Sequence, residues 1–486
     1  MPTYRNLIDG KWVVSGSGKT FDSINPATCG SIGRFQLSAA RDVNSAVKAA
    51  VKAFQKWKAV PAPERGQILL RAAELMRKDK ERLARLETTE MGKTLNEARG
   101  DVQEAIDVSE YMAGEGRRLF GHTTPSELPD KACMTFRQPV GVFGIITPWN
   151  FPIAIPAWKI TAALVCGNTV VFKPSSDTPL CAIEYTKLLS RAGLPPGVVN
   201  LVTGPGGEVG GALVKHNKVR GISFTGNRDT GLWITRNAGL KKVGLELGGK
   251  NAIIVMDDAD IDLAVDGALW GGYATTGQRC TAASRVIVHE TVLKRFEKRL
   301  LERIGKLKVG PGHARNVDMG PMVNREAVEK TMGYVESGKA EGAKLLCGGS
   351  PVKGRGFFFQ PTLFTRCTIG MRICQEEIFG PVISIIPARD LQQAIDAASL
   401  IEYGLSASIY TKDVNRAFMA MERVESGIFY VNSSTIGAEV HLPFGGIKHS
   451  GNGAREAGIE GINEFSETKT VYVDYSGRLQ KAQKIE

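Results

Sequence analysis

An α/β protein built on parallel sheet is what this sequence predicts, and three observations carry the prediction. Strand-like runs such as 142–147 and 198–202 are apolar at nearly every position, as strands buried on both faces must be. Stretches of helical period separate them, the alternation of a doubly wound fold. The 55 glycines punctuate the ends of such runs as turns and form no repeat or low-complexity tract. At 486 residues the chain exceeds what one hydrophobic core supports, so two or three domains are expected.

Taken in order, residues 4–37 read as short strands and turns. From Val43 the period changes: Val43, Val47, Ala50, Val51, Phe54 and Trp57 share one helical face, with Asp42 expected as its N-cap. A second helix follows Pro61-Ala62-Pro63, where Pro63 suits a first turn, and is expected to bury Ile68, Leu69, Ala72, Leu75 and Met76. More helix, rich in Lys, Arg and Glu, runs to about residue 118. Residues 121–138 break the pattern. Buried strands are then expected over 142–147, 169–172, 198–202, 219–224 and 243–247, and a second α/β unit opens at 252–256. Near the end, 468–475 alternates like an edge strand, and such an edge invites pairing with another chain.

Bulk composition bounds the function. With 43% hydrophobic and 23% charged residues, the chain reads as an ordinary globular protein. The formal charge of +12 comes from 62 Lys and Arg against 50 Asp and Glu. These cations are dispersed over helix faces, as in Lys294-Arg295-Phe296-Glu297-Lys298-Arg299, so a nucleic-acid surface is not expected. The field can still draw in an anionic substrate or a phosphate-bearing cofactor. Eight cysteines show no C-x-x-C pair and no zinc-site spacing to histidine, so no metal is expected. The start lacks a signal-peptide pattern and no run approaches a membrane span. A cytoplasmic protein with free thiols and no membrane partner is the expectation.

Chemistry concentrates at the ends of the predicted strands. Gly277-Gln278-Arg279-Cys280 sets a cysteine in a glycine-led turn before the run Val286-Ile287-Val288. By itself Cys280 reads as a nucleophile, a metal ligand or, most commonly for a free cysteine, a small buried hydrophobe. Ile146 and Thr147 lead into Pro148-Trp149-Asn150-Phe151-Pro152, a rigid turn holding one amide. Lys173-Pro174-Ser175-Ser176 places an ammonium at the carboxyl end of the next strand, where open α/β sheets bind ligands. Phe224-Thr225-Gly226-Asn227 is a strand end, a turn and a helix start able to hold a pyrophosphate, and the glycines around Gly206 and Gly210 make a second such place. Leu245-Glu246-Leu247-Gly248-Gly249-Lys250 sets a lone carboxylate among leucines and glycines, where burial would raise its pKa and suit general-base work.

Together with Glu376-Glu377-Ile378-Phe379-Gly380-Pro381 and Pro443-Phe444-Gly445-Gly446-Ile447-Lys448-His449-Ser450-Gly451, these stretches resemble the NAD(P)-dependent aldehyde dehydrogenase superfamily, in the family's order and over nearly the whole chain. Much of the chain is similar to the succinate-semialdehyde and α-ketoglutarate-semialdehyde dehydrogenase branch, the latter through its ending. The resemblance implies a Rossmann-like cofactor domain over 1–120 and 141–247 and a catalytic α/β domain over 248–440. It also implies a β oligomerisation arm from 121–140 and 463–486, and a homodimer or homotetramer. It implies the catalytic group Cys280, Glu246, Asn150 and Lys173: Cys280 attacks the aldehyde, Asn150 holds the oxyanion, and Glu246 activates the hydrolytic water. It implies cofactor contacts from Ile146, Thr147, Pro148, Trp149 and Asn150, from Lys173, Ser175 and Ser176, and from Gly206 and Gly210. Phe224, Thr225, Gly226, Asn227, Glu246, Leu247, Gly248, Cys280, Glu377 and Phe379 complete the set.

Two positions depart from the branch. Many NAD-preferring members have Glu where Ser176 stands, so NADP is expected as cofactor, with NAD possible. Succinate-semialdehyde dehydrogenases hold the distal carboxylate with arginines at the positions of Trp158 and Ala274 here, so neither of those cations is present.

Overall fold

The computed structural model describes residues 1–481. Seven strands form the first sheet, in the spatial order Lys242–Glu246, Gly221–Thr225, Val142–Ile146, Thr169–Lys173, Val199–Leu201, Asn6–Ile8 and Lys11–Val13. The first five are parallel, and the N-terminal pair closes one edge antiparallel. Chain order reverses between Val142–Ile146 and Gly221–Thr225, so the loops leaving those neighbours diverge and open a crevice at their carboxyl ends.

Helices cover this sheet through the faces their periodicity predicts. Ala40–Trp57 buries Val43, Ala46, Val47, Ala50 and Trp57. Its N-cap is Ala39, and Asp42 sits at the third helical position, a correction to the expected cap. The Asp42 carboxylate reaches back to accept from Ala39 N at 2.9 Å and from Gly16 N at 2.8 Å, so it ties the helix start to a loop. Ala62–Lys78 carries Pro63 in its first turn and buries Ile68, Leu69, Ala72 and Met76, with Leu75 half-buried. Lys80–Glu90 and Leu95–Glu115 follow. The latter opens with a capping box, in which Glu97 Oε2 accepts from the backbone N–H of the N-cap Thr94.

The second sheet runs in the order Lys344–Cys347, Thr362–Thr365, Val382–Ala388, Ala283–His289, Asn251–Val255, Ser406–Tyr410 and Ile428–Val431, parallel except for its first strand. The unit expected to open at 252–256 therefore begins at Asn251, in the middle of this sheet. The chain then returns: the helix Gly458–Glu464 packs against Ala154–Val165, with Ile462 and Phe465 inside the first hydrophobic core.

A small third sheet stands apart. Ser466–Asp474 pairs antiparallel with Lys131–Pro139 along its full length, and Thr123–Pro125 pairs on the other side. Ser466–Asp474 stands at the edge of its sheet, as expected, and almost every residue after Ser466 in this strand is exposed, Tyr472 and Val473 included. Among the described residues, little covers this strand after Ser466. The last five residues of the expected 463–486 segment lie outside the described residues. Among the described residues, no helix is long and apolar enough to cross a membrane.

Candidate active site

The carboxyl ends of the two sheets enclose a cavity of about 860 Å³. Of the residues expected at the cofactor and the chemistry, all but Ser176 and Glu246 line it. Strand Val142–Ile146 delivers Thr147 to Asn150, and Thr169–Lys173 delivers Lys173 and Ser175. Gly206 and Gly210 come from a short turn of π-helix, and Gly226 and Asn227 precede the helix Arg228–Asn237. Asn227 caps that helix by accepting from Thr230 N at 2.8 Å. Ser176 stands just behind the wall, its Oγ donating to Gly204 O at 3.2 Å.

Several polar groups facing this space lack partners among the described residues. Thr147 Oγ1, Asn150 Oδ1 and Thr225 Oγ1 are buried without a hydrogen bond, and Lys173, also buried, makes no ion pair among the described residues. Burial pushes the Lys173 ammonium down to about 8. A cleft with one buried cation, orphaned hydroxyls and open glycine backbone at Gly206 and Gly207 fits a phosphate-bearing dinucleotide.

Cys280 stands at the junction. It follows the turn Ala274–Gly277, where Thr275 and Thr276 have φ of 51° and 59° and Gly277 has φ of 67°. Threonine is β-branched and avoids the left-handed region, so this loop is held by its surroundings. Glu97 Oε1 accepts from Thr275 N at 2.5 Å, and Gln278 Oε1 accepts from Val323 N at 2.9 Å. Asn251 Nδ2 donates to Cys280 O at 2.7 Å and to Ala282 O at 2.9 Å. A Cβ on Gly277 would lie 2.3 Å from Gly380 O, so two backbones meet there without side chains between them. The Asn150 amide reaches the same loop, its Nδ2 donating to Gln278 O at 3.1 Å.

Electrostatics keep the resting thiol protonated. Burial, then Glu377 and Glu246, push Cys280 up to about 12, against which the N–H groups of Thr281 and Cys280 act. Glu377 lies on the glycine turn after strand Lys242–Glu246: its Oε1 accepts from Gly249 N at 3.0 Å, and a Cβ on Gly248 would meet Oε2 at 2.4 Å. Phe379, at φ of 61°, sets its ring edge-on to Trp149 at 5.4 Å.

Glu246 is 3% exposed, and neither carboxyl oxygen has a hydrogen-bond partner. Burial and then Glu456 raise its pKa well above the usual carboxylate range. The 443–451 stretch closes over it: Leu247 N donates to Ser450 O at 2.9 Å, and a Cβ on Gly445 would lie 2.5 Å from Glu246 Oε1. Behind it Lys159, fully buried, bonds Glu456 and donates to Ser223 Oγ at 2.9 Å. Trp158 is buried and meets Phe444 edge-on at 5.1 Å, and Ala274 is buried in the nucleophile turn. Asn251, Glu97, Lys159 and Glu456 were not singled out from sequence. Only the Thr94-to-Glu97 capping spacing offered a local signal, because the other contacts join distant segments.

The profile of the Aldehyde dehydrogenase family matches residues 12–471, and the chain belongs to this family. It is therefore an oxidoreductase acting on aldehydes with a nicotinamide cofactor. It is 42% identical to 2,5-dioxopentanoate dehydrogenase of Saccharolobus solfataricus, over 97% of this chain and 99% of that one. Among solved structures, it resembles betaine aldehyde dehydrogenase of Staphylococcus aureus in complex with NAD+. That similarity has a TM-score of 0.96 at 38% identity, covering 99% of this chain and 97% of that one. It also resembles an E. coli NADP-dependent enzyme, with a TM-score of 0.95 at 38% identity, covering 97% and 98%.

Proposed function

We propose that the chain oxidises its aldehyde through Cys280. The carrying observation is that one loop presents the Cys280 thiol at the end of the cofactor cleft, beside the Asn150 amide, with the unpaired carboxyl of Glu246 acting on its charge. Sγ attacks the carbonyl carbon while its proton leaves toward Glu246, and the oxyanion is held by Asn150 Nδ2 and the Cys280 N–H. The cleft residues would hold NAD(P), which would supply the hydride acceptor and so leave the carbon on Sγ as a thioester. Once that proton has passed on toward Glu456, Glu246 takes a proton from water, the hydroxide attacks the thioester, and the carboxylic acid leaves as the Cys280 thiolate is released. Lys159 and Glu456 lie behind Glu246 and can carry its proton away.

In this reading Glu377 holds the nicotinamide ribose, Phe379 flanks the nicotinamide, and Lys173 with Ser176 accepts NADP as well as NAD. Support comes from the buried, unpaired Lys173 and the lack of a carboxylate at Ser176. Residues 1–120 and 141–247 would serve the cofactor and 248–440 the chemistry. Residues 121–140 and 463–486 would extend a second copy's sheet in a homodimer or homotetramer, and a cytoplasmic setting would keep the thiol reduced. For substrate we favour a semialdehyde acid of the kind named for the Saccharolobus relative, α-ketoglutarate or succinate semialdehyde.

The test is Cys280→Ala with Glu246→Gln. The first should lose aldehyde oxidation. The second should keep a stoichiometric burst of NAD(P)H and then turn over slowly, because acylation outlasts deacylation. Undiminished oxidation by Cys280→Ala sinks the mechanism, and a Glu246→Gln enzyme without a burst removes Glu246 from its assigned step.

A further inference from the structure

The cofactor cleft reaches Cys280 from one side, and its neighbour Arg279 takes no part in lining it. The Arg279 guanidinium turns onto Phe151, 5.1 Å from the ring centroid, and onto Trp270 at 5.3 Å. Phe151 follows Asn150, so the stack connects the residue before the nucleophile to the residue after the oxyanion amide. Its side chain is 14% exposed, and Trp270 is half open to solvent. This is therefore the side from which an aldehyde can enter while a nicotinamide occupies the other.

The donors of this guanidinium are mostly unengaged. Nε donates to Thr275 Oγ1 at 2.9 Å. The terminal nitrogens have no hydrogen-bond acceptor among the described residues, and the approach to Glu97 Oε1 is 3.8 Å. Glu97 is already held, through Oε1 by Thr275 N and through Oε2 by Thr94 N and Oγ1. The other charges nearby are likewise committed. Asp101 accepts from Lys93 at 3.1 Å and from Ala154 N at 2.8 Å, and Lys93 also pairs with Glu87 at 2.7 Å. Burial and Asp101 push the Glu104 carboxyl up to about 8, which makes it a neutral donor at pH 7. A planar, largely buried guanidinium whose terminal nitrogens have only the 3.8 Å approach to Glu97 among the described residues can take a bidentate anionic acceptor from outside the chain.

We propose that Arg279 anchors a carboxylate at the far end of the aldehyde, so that the substrate class is a short semialdehyde acid. This rests on Cys280 being the nucleophile. It takes the place of the two arginines whose positions hold Trp158 and Ala274. It also separates this site from one for a cationic aldehyde, the other chemistry named among the structural relatives, because the charged side chain next to Cys280 in sequence is a cation with no close ion pair among the described residues.

The experiment measures kcat/KM for succinic and α-ketoglutaric semialdehydes, for a neutral aliphatic aldehyde and for betaine aldehyde. It uses wild type, Arg279→Gln and Arg279→Lys, with glutarate as a competitive inhibitor against the neutral aldehyde. Wild type should prefer the anionic substrates. In Arg279→Gln their advantage over the neutral aldehyde should fall about 10- to 100-fold, chiefly in KM, with a similar loss of glutarate inhibition. Arg279→Lys should recover part of both. Equal losses for anionic and neutral aldehydes in Arg279→Gln would overturn the anchor and leave Arg279 a loop support. A wild type that prefers betaine aldehyde would overturn the substrate class. Neither result touches Cys280, whose assignment fails only if Cys280→Ala keeps oxidising the neutral aldehyde.

Discussion

Glu97→Gln tests what holds the nucleophile loop in place. One carboxylate oxygen of Glu97 accepts from Thr94 N at 2.9 Å and Thr94 Oγ1 at 2.8 Å, and the other accepts from Thr275 N at 2.5 Å and Thr275 Oγ1 at 3.3 Å. Glutamine keeps one acceptor oxygen and turns an amide N–H₂ toward a backbone N–H at whichever end it does not serve. A hydrogen bond to a charged group contributes about 1.5–3 kcal/mol, and an unpaired buried donor costs a similar amount. Left-handed conformations at two threonines cost roughly 1–3 kcal/mol each, so the lost contact is of the same size as the strain it restrains. The loop should then relax, carrying Cys280 off its line. The expected result is a fall in kcat of at least tenfold with KM for the dinucleotide within about twofold, and slower alkylation of Cys280 by iodoacetamide. Thr94→Ala is the control: it removes the cap side chain, lowers stability by about 1 kcal/mol and leaves the Thr275 contact in place, so kcat should hold. A Glu97→Gln enzyme with a lower melting temperature but wild-type kcat and alkylation rate would refute the reasoning and reduce Glu97 to a helix cap.

Three further outcomes are expected. Because burial lowers the Lys173 pKa to about 8, the ammonium is present below that pH and is lost as pH rises through it. The ratio of KM for NADP to KM for NAD should therefore climb above pH 8. Ser176→Glu should raise the same ratio at pH 7 by placing a carboxylate against the 2′-phosphate, and a flat ratio across pH 6–9.5 would remove Lys173 from phosphate recognition. Gly277→Ala should abolish turnover while leaving NAD(P) binding measurable by fluorescence titration. Its methyl would lie 2.3 Å from Gly380 O at a φ of 67°, and near-normal turnover would show that the two loops can separate freely.

Much of the site was readable before any coordinates. Asn150, Lys173, Gly226 and Glu246 each stand at or just beyond the carboxyl end of a strand. Apolar runs ended by glycine or proline mark parallel strands, whose carboxyl ends emerge on one edge, so local sequence already places these groups together. Helix ends were less secure. Asp42 looks like an N-cap, yet it acts from the third helical position, because its carboxylate can reach back to the same N–H region from either place. The tail strand was legible from its β-branched and aromatic alternation, while its exposure on both faces was not. Alternation tells which residues share a face but not whether anything in the same chain covers it.

By itself, then, the sequence determined the α/β class, the parallel strands of the first sheet, the opening of the second and the identities of the groups at their ends. Those follow from periodicity and turn chemistry over a few residues. Tertiary structure alone decided how Cys280 is held and what surrounds it. Glu97 is 178 residues from Thr275, and Lys159 is 297 from Glu456. The placement of Arg279 exists only because Phe151, from the loop before one helix, and Trp270, from another helix, close on it. Such contacts depend on how two sheets and their covering helices are set against each other, and no short-range pattern records that placement. For the same reason Arg279 reads in the sequence as one basic residue among many, and only the packed structure sets it beside the nucleophile with a long 3.8 Å approach to Glu97 as its ion pair among the described residues.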